Sequence, residues 1–283
     1  MRNLLLDHTK NDIKKRQNFD FSTCLSGMSP TNWNCGGSLI NSRWVLTAGV
    51  CADVDLTVVI LGDHDRTDST EDQEVEMEIS DIIKHPNTKK IHRGSSINQF
   101  NVLLLKLKDN IDFSKHPHIR PVCLPEDTKE DYVGRTATVT GWGMSKYPKN
   151  QLDGERLGHF PSKLQYITGV VKSNLECSKM GMGCKGNAQC DVSGIPDNML
   201  CVSHRGGKLC QDDFGGPLVT KTDGKTYEQI GVASFTPKWC NHSSYGGYAR
   251  VTTVLGWIKD TVGTSHTNCP RKRNIHGIRS IRT

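Results

Sequence analysis

The chain has 283 residues, of which 35% are hydrophobic and 23% charged, and a formal net charge of +6. That balance suits a soluble globular protein long enough to bury a substantial core. No run of 18 apolar residues occurs, which excludes a membrane-spanning helix, and Met1–Leu6 is too short an apolar patch for a secretory signal.

Residues 1–34 are polar, with a basic run at Lys14-Lys15-Arg16. They read as an irregular N-terminal linker or the remnant of an upstream segment. From Cys35 onward the pattern changes to short apolar and β-branched runs separated by turn residues. These runs are Ser38–Leu46, Leu56–Leu61, Val102–Leu107, Thr136–Thr140, Leu164–Val171, Pro217–Val219, Ile230–Ser234 and Gly247–Val251. Many short strands punctuated by Gly and Pro predict an all-β barrel or sandwich. Val254–Thr261 predicts a closing helix with Leu255, Trp257 and Ile258 as its apolar face. Residues 263–283 carry Arg271-Lys272-Arg273 and no acid. They read as a basic, disordered tail or, alternatively, as a contact for a polyanion or membrane surface. No internal repeat at solenoid spacing is present.

Eleven cysteines at wide spacing argue for an oxidising compartment, and so for a secreted chain whose written start is expected to be truncated or misassigned. The count is odd, so at least one thiol is free or pairs with another chain.

Several stretches follow one another in a telling order. They are Cys35-Gly36-Gly37-Ser38-Leu39-Ile40, Trp44-Val45-Leu46-Thr47-Ala48-Gly49-Val50-Cys51, Phe100-Asn101-Val102-Leu103-Leu104 and Val139-Thr140-Gly141-Trp142-Gly143. Pro196-Asp197-Asn198-Met199-Leu200-Cys201, Cys210-Gln211-Asp212-Asp213-Phe214-Gly215-Gly216-Pro217 and Tyr248-Ala249-Arg250-Val251 come next, followed by Trp257-Ile258. Any one is weak alone. Together they resemble the chymotrypsin-like serine proteases over about residues 35–262. The style, including Asn98-Gln99-Phe100-Asn101, is closest to arthropod clip-domain proteases and their inactive homologues. The resemblance implies two six-stranded antiparallel β-barrels, over 35–125 and 126–262, with a C-terminal helix.

The resemblance also implies a catalytic histidine where Val50 stands, an aspartate where Asn101 stands and a serine where Phe214 stands. Hydrolysis of that type needs a hydroxyl made nucleophilic by an imidazole that a buried carboxylate orients. Phe214 has no hydroxyl, Val50 accepts no proton, and Asn101 has no imidazole to orient. Asp212 replaces the glycine whose N–H would face the developing negative charge, and its carboxylate would repel that charge. In the primary pocket, Lys208 stands where trypsin-type enzymes carry an aspartate, and would repel the Arg and Lys that an aspartate attracts. Ser234-Phe235-Thr236 replaces a Ser-Trp-Gly strip, and Gly246 is retained on the opposite wall. Asp213 matches the carboxylate that pairs with a newly cut N-terminus, and no matching start lies between Lys15 and Cys35. The expectation is a chain outside the activated state, with a mobile Leu209–Gly216 loop.

By the same resemblance Cys35–Cys51, Cys177–Cys201 and Cys210–Cys240 are bridges, each worth about 2–4 kcal/mol. Cys184 is expected to pair with Cys190 and Cys24 with Cys123. Cys269 is left over, either as an unpaired thiol or as a link to a disulfide-bonded partner. Asp63, Glu71 and Glu74 fall near the family's calcium positions, against the alternative of a solvated acidic face. No cofactor is required. Asn241-His242-Ser243 is an N-glycosylation acceptor pattern. The expected function is a non-catalytic homologue that binds proteases, zymogens or inhibitors of an extracellular cascade, such as innate immunity, coagulation or venom. It has no nucleic-acid partner and no membrane span. The competing expectations are a serine-type endopeptidase and a polyanion- or surface-binding secreted protein.

Overall fold

The computed structural model describes residues 22–27, 33–53, 55–67, 74–90, 98–144, 160–179, 195–205, 209–210, 213–222, 226–235 and 245–263. Its strands in chain order are β1 (Ser22–Gly27), β2 (Trp33–Leu39), β3 (Trp44–Thr47), β4 (Leu56–Leu61), β5 (Val75–Lys84), β6 (Lys89–Lys90), β7 (Asn98–Gln99) and β8 (Leu103–Leu107). They are followed by β9 (Thr136–Gly141), β10 (Gln165–Lys172), β11 (Met199–Arg205), β12 (Pro217–Lys221), β13 (Tyr227–Phe235) and β14 (Tyr245–Arg250). Two α-helices, α1 (Asn174–Lys179) and α2 (Leu255–Val262), and two 3₁₀ turns, Gly49–Asp53 and Val251–Thr253, complete the described elements.

The strands close two antiparallel barrels of six. The first runs β1-β2-β3-β8-β5-β4 and the second β10-β11-β14-β13-β12-β9. Each strand of either barrel bonds to two neighbours, so neither barrel ends in an edge strand. The expected all-β double barrel with a C-terminal helix is what the chain forms.

The irregular segment expected over residues 1–34 is corrected at residues 22–27 and 33–34, which are strand. β1 pairs with both β2 and β4 and so completes the first barrel, and β2 begins at Trp33. The sequence Ser22-Thr23-Cys24-Leu25-Ser26-Gly27 is too short and polar to announce a strand; two partner strands impose it. β5 also begins directly after Glu74, one of the acids matched to calcium. Its Val75, Met77, Ile79 and Ile83 lean on the core while Glu76 and Glu78 face outward, the period-2 signature that the surrounding acids obscured. The run Ser38–Leu46 is two strands, because Asn41-Ser42-Arg43 forms a turn in which the Asn41 side chain accepts the Arg43 N–H at 2.8 Å.

The first core is built from Leu39, Val45, Leu46, Leu103, Leu104 and Leu105, and it continues without a break into Val232, Val251, Leu255 and Ile258 of the second half. α2 therefore caps the first barrel's core although it follows the second in sequence. A separate cluster of Leu200, Val202, Leu218, Ile230 and Tyr248 fills the second barrel. Polar links cross between the halves. Ser38 Oγ donates to Gln229 Oε1 at 2.6 Å, Arg66 N–H to the Ser162 carbonyl at 3.1 Å, and Gly36 N–H to the Phe214 carbonyl at 2.8 Å.

Gly215 is the tightest point of this join. Its φ is +87°, and a Cβ there would run into Thr47 Oγ1 and the Gly36 carbonyl. Both the backbone angle and the space demand glycine. Gly215→Ala is expected to cost about 3 kcal/mol, read as a drop in urea midpoint at unchanged m-value. Near-parental stability would show that the two halves can separate locally without loss.

Candidate functional site

The stretches singled out by motif converge where the barrels meet. Asn101 lies just before β8 and is fully buried, at 0% exposure. Its position is set by Phe100, which holds a left-handed φ of +48° while its carbonyl accepts the Val102 N–H at 2.8 Å. Such a conformation is costly for a bulky residue. It is held by stacking of the Phe100 ring on His85, with centroids 5.0 Å apart and planes within 5°.

The Asn101 carboxamide bonds in two directions. Oδ1 accepts the Val50 N–H at 3.0 Å, and Nδ2 donates to Ser234 Oγ at 2.8 Å. A backbone N–H can only donate, so the amide orientation is fixed: oxygen to Val50, nitrogen to Ser234. Ser234 sits in a register irregularity of β13 between Ala233 and Phe235. Gly49, preceding Val50 in a short 3₁₀ turn, leaves room for this arrangement, since a Cβ there would stand 2.9 Å from Asn101 Oδ1.

Val50 is half-buried and packs on the first core. Phe214 is half-buried at the same join, tied through its carbonyl to Gly36, and the next residue donates its N–H to the Ala233 carbonyl at 2.8 Å. The expected pocket walls Ser234, Phe235 and Gly246 are all buried. Phe235 packs with Cys177, Met199 and Cys201. Lys208, Asp212, Thr236, Cys240, Asn241, Glu71, Cys184, Cys190, Cys269 and the basic tail from 264 lie outside the described residues.

Asp213, which matches the carboxylate that pairs with a newly cut N-terminus, is bonded by backbone N–H groups. Asp213 Oδ1 accepts the Gly143 N–H and Oδ2 the Cys210 N–H, both at 2.9 Å. The carboxylate lies so close to Gly141 and Gly143 that a Cβ on either would collide with it. The segment Asp213–Gly216 is further fixed by N–H donation from Asp213 to Cys210 and from Gly216 to Asp213. The described part of the loop is thus anchored at each end.

Cys35–Cys51 and Cys177–Cys201 are bridged as expected. Cys210 and Cys123 are disulfide-bonded as well. Of the acids matched to calcium, Asp63 is buried and Glu74 is exposed. Among the described residues no group of three metal-ligating side chains comes together.

A buried pair that motif matching did not reveal lies behind Gly246. His204 Nε2 and the Tyr248 hydroxyl are 2.9 Å apart, with His204 at 5% exposure and Tyr248 at 0%. Burial pulls the His204 pKa down to about 4. Burial, and then the negative charge of Asp213, push the Tyr248 phenol well up. Both side chains are therefore neutral near pH 7, a neutral pair that a dry interior tolerates. The signal was present in the sequence: Leu200, Val202 and His204 alternate, placing the imidazole on the inner face of β11. His85, beside Phe100, is likewise buried, its pKa lowered by desolvation, and its Nδ1 accepts the Asn87 N–H at 3.2 Å.

The sequence is similar to those of known proteins. The sequence model of the family described as Trypsin matches residues 11–258. The chain belongs to the trypsin family. It is 31% identical over 247 residues to serine proteinase stubble of Drosophila melanogaster, an alignment covering 85% of this chain and 28% of that protein. It is 31% identical over 239 residues to serine protease filzig of the same organism, covering 82% of this chain and 13% of filzig. The chain thus spans less than a third of the length of these trypsin-family relatives. Among its described residues no helix is long and apolar enough to cross a membrane.

The Asn101 geometry predicts a penalty for restoring charge. Asn101→Asp places a carboxylate at a fully buried point that lacks the imidazole it would serve, and is expected to cost about 2–4 kcal/mol at pH 7. That carboxyl would have a raised folded-state pKa, so the penalty fades as pH falls toward about 4. Adding Val50→His is expected to recover about 1–3 kcal/mol in a double-mutant cycle; zero coupling would refute the argument.

His204 gives a pH signature of opposite sense. Its folded pKa lies below the ordinary value, so the unfolded chain takes up the proton first as pH drops. The stability it confers is complete above about pH 6.5 and is lost toward pH 4, at most about 3 kcal/mol. Denaturant melts at pH 7 and pH 4.5 are expected to show a smaller acid loss in His204→Gln than in the parent chain.

Proposed function

We propose that this chain is a non-catalytic member of the trypsin family that works by binding protein partners in an extracellular protease cascade, as cofactor, scaffold or decoy. The observation that carries the reading is the chemistry around Asn101. The residue that would supply the attacking hydroxyl is Phe214, and the one that would take its proton is Val50. The buried group between Val50 and Ser234 is a neutral amide.

A serine-type mechanism has no entry in such a set. The nucleophile must gain electron density by losing a proton to a base, and that base must be held by an anion. Valine and phenylalanine offer neither lone pair nor proton. Ser234 has a hydroxyl, but its oxygen accepts the Asn101 amide, and an amide does not take its proton. Among the described residues the buried imidazoles contact other groups, His85 stacking on Phe100 and His204 bonding Tyr248. The anchored Asp213 segment supports a cleft rim kept in shape, as recognition requires. Disulfides support secretion. The relatives named above are called a proteinase and a protease, and that naming is the support for the endopeptidase alternative.

The purified chain is expected to leave peptide and ester substrates intact and to resist labelling by an organophosphonate. Phe214→Ser alone is expected to remain at that level, because triad groups act as a unit. Val50→His, Asn101→Asp and Phe214→Ser together are expected to exceed every single variant in ester hydrolysis. If Asn101 is kept in that set, the rate falls by about 10⁴, a value carried over from the family's best-studied triad. Turnover by the parent chain that survives removal of contaminating protease would overturn the reading.

A further inference from the structure

His85 stands where three elements meet: the end of β5, the residue before Asn101, and α2. Its ring lies flat on Phe100 and meets Trp257 edge-on at 4.8 Å. Its backbone is tied to the same place. His85 donates its N–H to the Val102 carbonyl at 3.2 Å, and its carbonyl accepts the Thr88 N–H at 3.0 Å. Thr88 Oγ1 in turn donates to the Phe100 carbonyl at 2.8 Å. The turn 85–88 therefore holds the left-handed Phe100 both by its ring and by its carbonyl.

That turn is closed by the imidazole itself, whose Nδ1 accepts the Asn87 N–H at 3.2 Å. A backbone N–H only donates, so Nδ1 carries the lone pair and the ring proton sits on Nε2. A second proton, taken from solvent at Nδ1, sets N–H against N–H and breaks the bond. The strain at Phe100 and the return from one stacked pair and one hydrogen bond are of the same order, so one lost contact decides the balance.

We propose that His85 is an acid-sensitive latch on the barrel junction: neutral, it holds Phe100 and through it the contacts of Asn101; protonated at Nδ1, it releases them. The charged side chains on the elements around it are Lys84 of β5, paired with Asp53 at 3.6 Å, Lys89 and Lys90 of β6, and Lys259 and Asp260 of α2, all exposed. Cations predominate among them, and burial lowers the pKa of the ring. The released ring takes the proton more readily than the latched one. The latch is thus complete above about pH 6.5 and opens as pH falls below it. The device concerns the shape of the junction alone and stands whether or not the chain is catalytic.

The test is residue-resolved hydrogen exchange by NMR on the intact chain at pH 7 and pH 5, corrected for the intrinsic pH dependence of exchange. The Val50 N–H, which Asn101 Oδ1 accepts, reports the junction. The Leu107 N–H, which donates to the Arg43 carbonyl in the same barrel, reports unfolding of that barrel as a whole. In the parent, protection of Val50 relative to Leu107 is expected to fall about tenfold at pH 5, against a ceiling of about thirtyfold set by a released ring of ordinary pKa. His85→Asn offers an oxygen to the Asn87 N–H and takes no proton, so its ratio is expected to be the same at both pH values. His85→Phe keeps the stacked ring without the acceptor, and its ratio is expected to be low at both. A parent ratio that does not change overturns the proposal, whether because the aromatic faces carry the cation in place or because both amides fall together. A parental pH response in His85→Asn, or a parental ratio at pH 7 in His85→Phe, overturns it equally.

Discussion

The join between the two barrels turns on one side-chain amide. Asn101 reaches the Val50 N–H on one side and Ser234 Oγ on the other, from a position with no access to water. One group from the first barrel thereby satisfies a backbone donor of its own half and engages a hydroxyl of the other. Buried polar groups are costly unless paired, so the amide, the turn at Gly49 and the irregularity at Ser234 constrain one another. An amide meets these demands without a net charge. A carboxylate would meet the same two partners only with an ion left unpaired in the interior. The neutral residue at 101 and the apolar residue at 50 are physically consistent with each other, and neither is readily changed alone.

The contrast with Asp213 is instructive. That carboxylate persists because two backbone N–H groups, from Gly143 and Cys210, converge on it, and because glycines at 141 and 143 let it approach. Amide dipoles stabilise an anion when they are aimed at it in advance. The same region thus holds one acid bonded by main chain and one neutral, buried amide. The chain keeps the charge where its backbone can serve it.

Much of this was legible in sequence. Short runs such as Leu56–Leu61 and Thr136–Thr140 gave strands at nearly their final bounds, and the apolar face of Leu255, Trp257 and Ile258 gave α2. The motif order brought Val50, Asn101 and Phe214 to one junction. What stayed hidden depended on partners far along the chain. β1 is a strand because β2 and β4 flank it, and no local propensity says so. Ser234 lies 133 positions from Asn101, and no spacing rule could pair them. The two N–H donors of Asp213 come from backbone, which carries no sequence signal at all. His204 was readable by alternation on β11, but its hydrogen bond to Tyr248 was not.

Trp257 of α2 meets the edge of the His85 ring at 4.8 Å, and His85 lies flat against Phe100, the residue twisted into a left-handed conformation immediately before Asn101. Three aromatic rings in series thus connect the C-terminal helix to the amide at the barrel junction. Tension or torsion applied to that helix, by whatever docks on it, has a rigid lever through which to reach the cleft.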